Sequence, residues 1–365
     1  MIIRKQESLD ALRNRLQLGE GEGALISSEI NQRYLSGFHY TDGYILVLAK
    51  KAYLLADFRY IESARAEVSA EDFEIIMPEG GMLSEIALLC SVEKIGKIYI
   101  EETAVSVSML DKLREKLERV EILGGASEAL LLSRCVKSEW ELSKISEAQM
   151  ITDRAFEHIL RFIRTDMTEI EIALELEFFM RRNGAEATAF DTIAVSGTAS
   201  SMPHGVPRGV RLERGFLTMD FGARVDGYCS DMTRTVVIGK ADEDMKRLYN
   251  TVLSAQRAAL DMIREGVSCR AVDAAARNII DNAGYRGCFG HSLGHGVGMY
   301  IHEAPRLAGS SSEGDLLARG NVVTVEPGIY VEGKYGCRIE DMVAIGSDGG
   351  LVNFTKSPKE LIEIY

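Results

Sequence analysis

The stretch Phe216–Thr235, FLTMDFGARVDGYCSDMTRT, decides how the second half of this chain is read. Leu217, Thr218 and Met219 precede Asp220, and Met232, Thr233 and Thr235 follow Asp231; both surroundings favour strands. Between the two acids lies Asp226-Gly227, the residue pair best suited to a two-residue hairpin turn. With that turn, Val225 faces Tyr228 and Asp231 faces Gly222. Side chains alternate faces along a strand, so Asp220, Gly222 and Asp231 share one face, and the two aspartates are diagonal neighbours. Carboxylates held that close repel each other, and a cation between them is the simplest remedy. On this stretch alone, a solvated hairpin with acidic decoration fits equally well.

The downstream sequence shifts that balance. His291, His295 and His302 fall within twelve residues, around GHSLGHGVG, and His204 lies upstream in SMPHG. A lone histidine is usually a satisfied structural group. Three on a glycine-rich stretch, where backbone can press against a ligand, point to a site. Glu326 ends the apolar run NVVTVEPG, whose valines should be buried in sheet; an acid there must be paired, protonated or metal-bound. Glu340 lies in GCRIEDMVAI, and EGKYG at 332–336 can turn the chain so that these two runs form a second hairpin. Four carboxylates and one imidazole suit a pair of hard or borderline divalent cations, which can hold a bridging hydroxide and polarise a carbonyl. Taken singly, each acid could instead be a salt bridge to a neighbouring Lys or Arg; taken together, they fit that reading poorly.

Around these residues the chain reads as two domains. Ser138-Glu139-Trp140-Glu141 and Thr168-Glu169-Ile170-Glu171 are capping boxes. The first should open a helix to about residue 163, the second a helix stopped by Gly184. Strand-like FDTIAVSG follows, then helices near 242–265 and 270–282, so residues 126–365 form an α+β unit. Residues 1–125 alternate differently. Leu9, Leu12 and Leu16 mark an opening helix. GALISSE reads as one strand and GYILVLAKKAYLLAD as two joined at Lys50-Lys51; helical runs then alternate with the strand-like FEIIM, KIYIEE and VEIL, which predicts an α/β layer domain. It contains no metal cluster or phosphate loop. Its loop GFHYTDGY, 37–44, reads from its residues as one pinned by aromatics.

The composition is that of a soluble globular protein: 365 residues, 46% hydrophobic and 27% charged. The net charge of −13 argues against nucleic acid and anionic membranes as main partners. The start has no apolar stretch of signal-peptide length and no run reaches transmembrane length. The six cysteines lack CxxC spacing and read as reduced thiols of a cytoplasmic protein.

The order Asp, ten residues, Asp, a distant His, EPG, then Glu resembles the pita-bread metallopeptidases, the family of methionine aminopeptidase, aminopeptidase P, prolidase and the metal-free creatinase. The resemblance covers essentially the whole chain: the first domain is similar to the one preceding creatinase, prolidase and aminopeptidase P catalytic domains, and VKSEWEL matches that subgroup. It implies a creatinase-like α/β domain followed by a pita-bread catalytic domain, with Asp220, Asp231, His295, Glu326 and Glu340 as metal ligands. Creatinase-type members have lost those ligands. Arg338 two residues before Glu340, SDMTRT and HEAP resemble the Xaa-Pro-cleaving subgroup rather than methionine aminopeptidases.

The resemblance further implies a hydroxide bridging two metals that attacks the Xaa-Pro carbonyl. Glu326 would move the proton to the imino nitrogen. His302, with His291 nearby, would stabilise the oxyanion or hold the substrate carbonyl, His204 would contact the proline or its carboxyl group, and Arg338 would either bind substrate or fix Glu340 and its neighbouring acids. Manganese is the expected metal, with cobalt, zinc or iron also admitted. A homodimer is implied, with His39 and Tyr40 near an active-site mouth, limiting substrate length. Arg306, four residues after His302, stands where some prolidases bind the substrate carboxylate, which puts a dipeptidase ahead of an aminopeptidase P. More distant alternatives are a non-catalytic metal-binding protein on the same fold and a metal-free hydrolase of the creatinase type.

Overall fold

The computed structural model describes residues 5–365. They divide into two compact units, the first ending at Arg134 and the second beginning at Cys135. The sequence reading set the boundary at residue 125; the helix Ala126–Cys135, which that reading lacked, accounts for the difference.

The first unit is built on a six-stranded mixed sheet. Its order is Glu74–Ile76, Ala52–Leu55, Tyr44–Leu48, Glu22–Ile26, Lys97–Ile100, Glu121–Leu123. Glu22–Ile26 pairs antiparallel with Tyr44–Leu48 and parallel with Lys97–Ile100. These are the six strands that the apolar runs predicted. A helix not predicted, Glu29–Ser36, is short and mostly polar, so its periodicity carries little signal.

In the second unit both capping boxes form. Ser138 opens the helix Glu139–Phe162 and Thr168 opens Glu169–Arg182, each hydroxyl accepting from the third helical N–H while the glutamate there reaches back. This pair packs on one apolar core with Leu217, Met219 and Phe221. The helices Glu243–Met262 and Cys269–Ile280 pack on another with Val323, Val325 and Val343. Between them lie the sheets that carry the site. One has the order Glu363–Ile364, Met232–Ile238, Gly215–Phe221, Ile193–Ser196. The other has the order Glu303–Leu307, Gly294–Gly296, Val322–Val325, Asp341–Ile345, Leu351–Asn353. No helix among the described residues is long and apolar enough to cross a membrane.

Candidate metal centre

The first hairpin forms in the register its turn dictates. Asp226 and Gly227 take φ of 49° and 88°. Val225 pairs with Tyr228, and the same register resumes as Phe221 with Met232 and Asp220 with Thr233. Asp231 therefore stands opposite Gly222, with Asp220 on the diagonal. Gly222 has no substitute, because a Cβ there would lie 2.0 Å from the Ser230 carbonyl oxygen.

The second hairpin also forms, but it breaks at its acids. Val325 pairs with Asp341 and Gly328 with Arg338, so one register sets Glu326 opposite Glu340 between two separate sheets. Pro327 has no N–H for the ladder. The freed backbone binds elsewhere: Glu326 N–H donates to the Leu293 carbonyl at 2.8 Å and Glu340 N–H to that of Thr233 at 3.1 Å. Those two bonds fasten the second hairpin to the His-Gly stretch and to the first hairpin, bringing all four acids together.

Ligand atoms of Asp231, His295 and Glu340 all lie within 4.8 Å of one another. His295 Nε2 is 3.6 Å from Asp231 Oδ2 and 3.3 Å from Glu326 Oε1. Its Nδ1 faces the Gly296 carbonyl at 3.0 Å. A carbonyl can only accept, so Nδ1 carries the proton and Nε2 presents a lone pair to the acids. Burial pushes His295 down to about 4, so at neutral pH these short distances are converging ligand atoms rather than ion pairs. Asp231 and Glu340 are pushed well up, by burial first and then by the neighbouring carboxylates. Glu326 is raised to about 7 by burial, with the Asp220 charge adding and Arg338 opposing. Asp220 Oδ1 is buried with no hydrogen-bond partner among the described residues. Crowded acids, a neutral imidazole aimed at them and an orphaned oxygen fit a site for divalent cations.

Arg338 is the cation built into this cluster. Nη2 donates to Asp220 Oδ2 at 2.6 Å, Nε to Thr233 Oγ1 at 2.9 Å and Nη1 to the Tyr330 hydroxyl at 2.8 Å. Thr233 in turn donates to Glu340 Oε2 at 2.7 Å. Arg338 thus holds Asp220 directly and Glu340 through Thr233. Its nitrogens are already engaged, which corrects the expectation that it binds substrate.

The acids floor a cavity of about 410 Å³, whose walls include His204, His291, His302 and Arg306. His291 differs from the other two histidines. Its Nδ1 donates to the Ser292 carbonyl at 2.8 Å, so Nε2, 3.0 Å from the Tyr330 hydroxyl, must accept. Burial, with Arg338 nearby, lowers it to about 4. A neutral His291 with both nitrogens committed has no proton for an oxyanion, which corrects that part of its expected role. His302 stands edge-on to His295, ring centroids 4.4 Å apart, and is lowered by burial and then by the Arg306 charge.

A model of metallopeptidase family M24 matches residues 143–347, and one of the creatinase/prolidase N-terminal domain matches residues 9–136. This chain belongs to metallopeptidase family M24. An Xaa-Pro dipeptidase of Bacillus anthracis has a solved structure that is 40% identical, with a TM-score of 0.93 over 99% of this chain and 100% of that one. An Xaa-Pro dipeptidase of Pyrococcus furiosus is 36% identical over 98% of this chain and 100% of its own. An X-Pro aminopeptidase structure from Thermotoga maritima is also similar, at 36% identity and a TM-score of 0.89, covering 96% of this chain and 100% of that one.

Two expected site residues, His39 and Tyr40, belong to the first unit and are not among the residues that line the cavity. His39 is exposed in its loop. Tyr40 is 1% exposed, stacked on Phe38 at 5.4 Å and edge-on to Tyr60 at 6.2 Å. Its ring is spent on packing, so the aromatic-pinned loop describes it and a substrate contact by Tyr40 does not. Other cavity and support residues went unread. Thr324, two residues before Glu326, donates to Glu326 Oε1 at 3.1 Å and accepts from His295 N–H at 3.1 Å. Thr233, Thr324 and Tyr330 stand an even number of residues from a ligand acid, so strand alternation could have found them. Phe190, Ile193 and Ile301, apolar residues of the cavity wall, lie outside the strands that carry the acids, where alternation gives no guide.

Proposed function

We propose that this M24 chain hydrolyses the Xaa-Pro bond of small proline-containing peptides, with two divalent metal ions held by Asp220, Asp231, His295, Glu326 and Glu340. One observation carries the reading: four acids, Asp231 and Glu340 buried and Asp220 and Glu326 partly buried, converge with the lone pair of a neutral His295 on one end of a cavity whose other walls offer His204, His302 and Arg306. Divalent ions there supply Lewis acidity toward the scissile carbonyl and acidify a water. Manganese suits four carboxylates with one imidazole, while cobalt, zinc and iron are also compatible.

The chain's own groups divide the remaining work. Glu326, just past the strand Val322–Val325 on the cavity floor, takes a proton from water and returns it to the prolyl nitrogen. His302, exposed on the cavity, donates to the substrate carbonyl oxygen as charge builds on it. His204 contacts the proline ring or its carboxyl group, and the substrate α-amino group sits near Asp220. His291 and Arg338 act behind these groups, as the ends of a chain through the Tyr330 hydroxyl. The protein works as a homodimer in the cytoplasm, in keeping with six free cysteines, and exposed His39 limits substrate length.

Arg306 favours the dipeptidase. It lines the cavity beside His302, and a guanidinium pairs both oxygens of a carboxylate one residue past the scissile bond. The second reading is an aminopeptidase P, which the Thermotoga maritima relative supports at a similar level of identity. The deciding assay compares Xaa-Pro with Xaa-Pro-Xaa peptides. Faster tripeptide cleavage by the wild type overturns the dipeptidase and leaves the metal chemistry in place.

A further inference from the structure

The segment VKSEWEL, residues 136–142, opens the first helix of the catalytic unit and has no part in the chemistry above. Lys137 nevertheless reaches across 166 residues of sequence to Glu303, Nζ to Oε2 3.3 Å, with both side chains only 1% exposed. The other Glu303 oxygen accepts from Tyr300 N–H at 3.1 Å, so residues 300–303 wrap around the carboxylate. Gly298 allows this approach, since a Cβ there would sit 2.5 Å from Glu303 Oε2. The Glu303 backbone pairs with Gly296 where the strand register shifts beside His295. The carboxylate thus anchors, from behind, the run whose His302 and Arg306 face the cavity.

The lysine end is held as firmly. Lys137 N–H donates to the Gly320 carbonyl at 2.9 Å. Four residues on, Glu141 accepts from the Tyr228 hydroxyl at 2.9 Å, and Trp140 stands edge-on to the Tyr228 ring at 5.7 Å. One short stretch therefore touches both the hairpin that carries Asp231 and the run that carries His302. A buried ion pair is a poor source of stability, because stripping water from both charges offsets most of their attraction. Its value lies in fixing a geometry.

We infer that Lys137, acting through Glu303, is a positioning residue for His302 and Arg306, and so governs how the Xaa-Pro substrate is gripped; this rests on the reading above. In Lys137→Met the Glu303 carboxylate loses the buried ammonium that faces its Oε2, and the turn at 300–303 that wraps around it loosens.

Hydrogen exchange by mass spectrometry and steady-state kinetics on the full chain test this together. In Lys137→Met the amides of 298–307 exchange faster, while those of the strands 216–221 and 232–238 keep their rates. KM for an Xaa-Pro dipeptide rises, and kcat/KM falls on the order of a hundredfold, as expected for a misplaced substrate grip. Manganese binding stays intact and Lys137→Arg restores both readouts. Adding Lys137→Met to a protein that already carries both His302→Ala and Arg306→Ala lowers kcat/KM no further than those two changes do. Exchange that rises evenly across the unit, or a kcat/KM that stays at the wild-type value, overturns the inference. Should Lys137→Met fail to fold, Glu303→Gln, which keeps the shape and removes the charge, carries the same comparison. A wild type without Xaa-Pro turnover defeats the proposed activity, and the exchange pattern still decides the positioning role.

Discussion

Both units bury carboxylates, and they treat them in opposite ways. In the first unit Glu101 is 1% exposed. One oxygen accepts from the Ser27 and Ser28 amides at 2.5 and 2.9 Å, the other from the Ser28 hydroxyl at 2.6 Å and Asn31 Nδ2 at 2.5 Å. Asn31 is held in turn by Arg134. This acid closes the N-terminus of the helix Glu29–Ser36 and leaves nothing for a ligand. In the second unit Asp231, Glu326 and Glu340 face one another, and Asp220 keeps a buried oxygen without a partner. Burial alone therefore does not mark a site. A buried acid belongs to a site when the protein withholds its donors.

The largest effect that would break this contrast comes from the acids themselves. Asp231→Asn or Glu340→Gln should abolish turnover and tight metal binding, read by elemental analysis, where the wild type should carry two metals per chain. The same changes should raise the melting temperature of the metal-free protein, because they remove a carboxylate that its neighbours oppose. A lower melting temperature for both metal-free variants would mean the acids are satisfied from within, as Glu101 is.

Metal removal tests the same point by linkage. Dialysis against a chelator should remove activity, and manganese at about a hundred times its Kd should restore it and add about 2.7 kcal/mol of stability. Full activity of metal-free wild type would defeat the site. Glu101→Gln should do the reverse of the site variants: it costs about 2–3 kcal/mol by placing an amide against donors, and leaves the manganese titration unchanged. A weakened titration would show that the first unit shapes the metal centre.

A smaller effect is expected at Arg306. It is exposed, so water screens its pairing with a substrate carboxylate, and Arg306→Ala should raise KM for the dipeptide roughly tenfold, about 1.4 kcal/mol. An unchanged KM would remove Arg306 from substrate recognition.

The smallest concerns Glu169, a satisfied acid inside the catalytic unit. It accepts from Ser196 N–H at 2.7 Å, and from Arg208 N–H and Nε at 2.9 and 2.8 Å, which ties down the loop bearing His204. Burial would raise its carboxyl, but these bonds outweigh burial and hold it below the usual value. Its contribution to stability is thus fully present above the unfolded-state value near 4.3 and is lost as pH falls through the lower folded-state value. Glu169→Gln should flatten the acid end of the melting-temperature profile. If the wild-type and variant profiles run parallel below pH 5 or so, Glu169 has no depressed titration.

Much of this was legible without coordinates, and for local reasons. Asp226-Gly227 sets its turn by steric preference, the turn sets the register, and the register places Asp231 against Gly222. The two capping boxes are satisfied within four residues of chain. Glu326 could be picked out as a candidate because an acid at the end of a valine run has few reasons to be there.

What the tertiary structure alone decided are the properties that depend on distant partners. The Ser292 carbonyl fixes which nitrogen of His291 carries the proton, but it is Tyr330, 39 residues away, that takes up the remaining lone pair and closes the ring to substrate. Whether Arg338 binds substrate or ligand acids is set by Asp220, 118 residues away. Tyr40 looked like a loop residue, and only its neighbours Phe38 and Tyr60 show that its ring is buried. The ion pair of Lys137 with Glu303 leaves no periodic trace in either segment. Alternation, turns and caps are written by adjacent residues and survive in the sequence. Donor direction, burial and long-range pairing are decided when the chain closes on itself, because each depends on a group that no local pattern brings near.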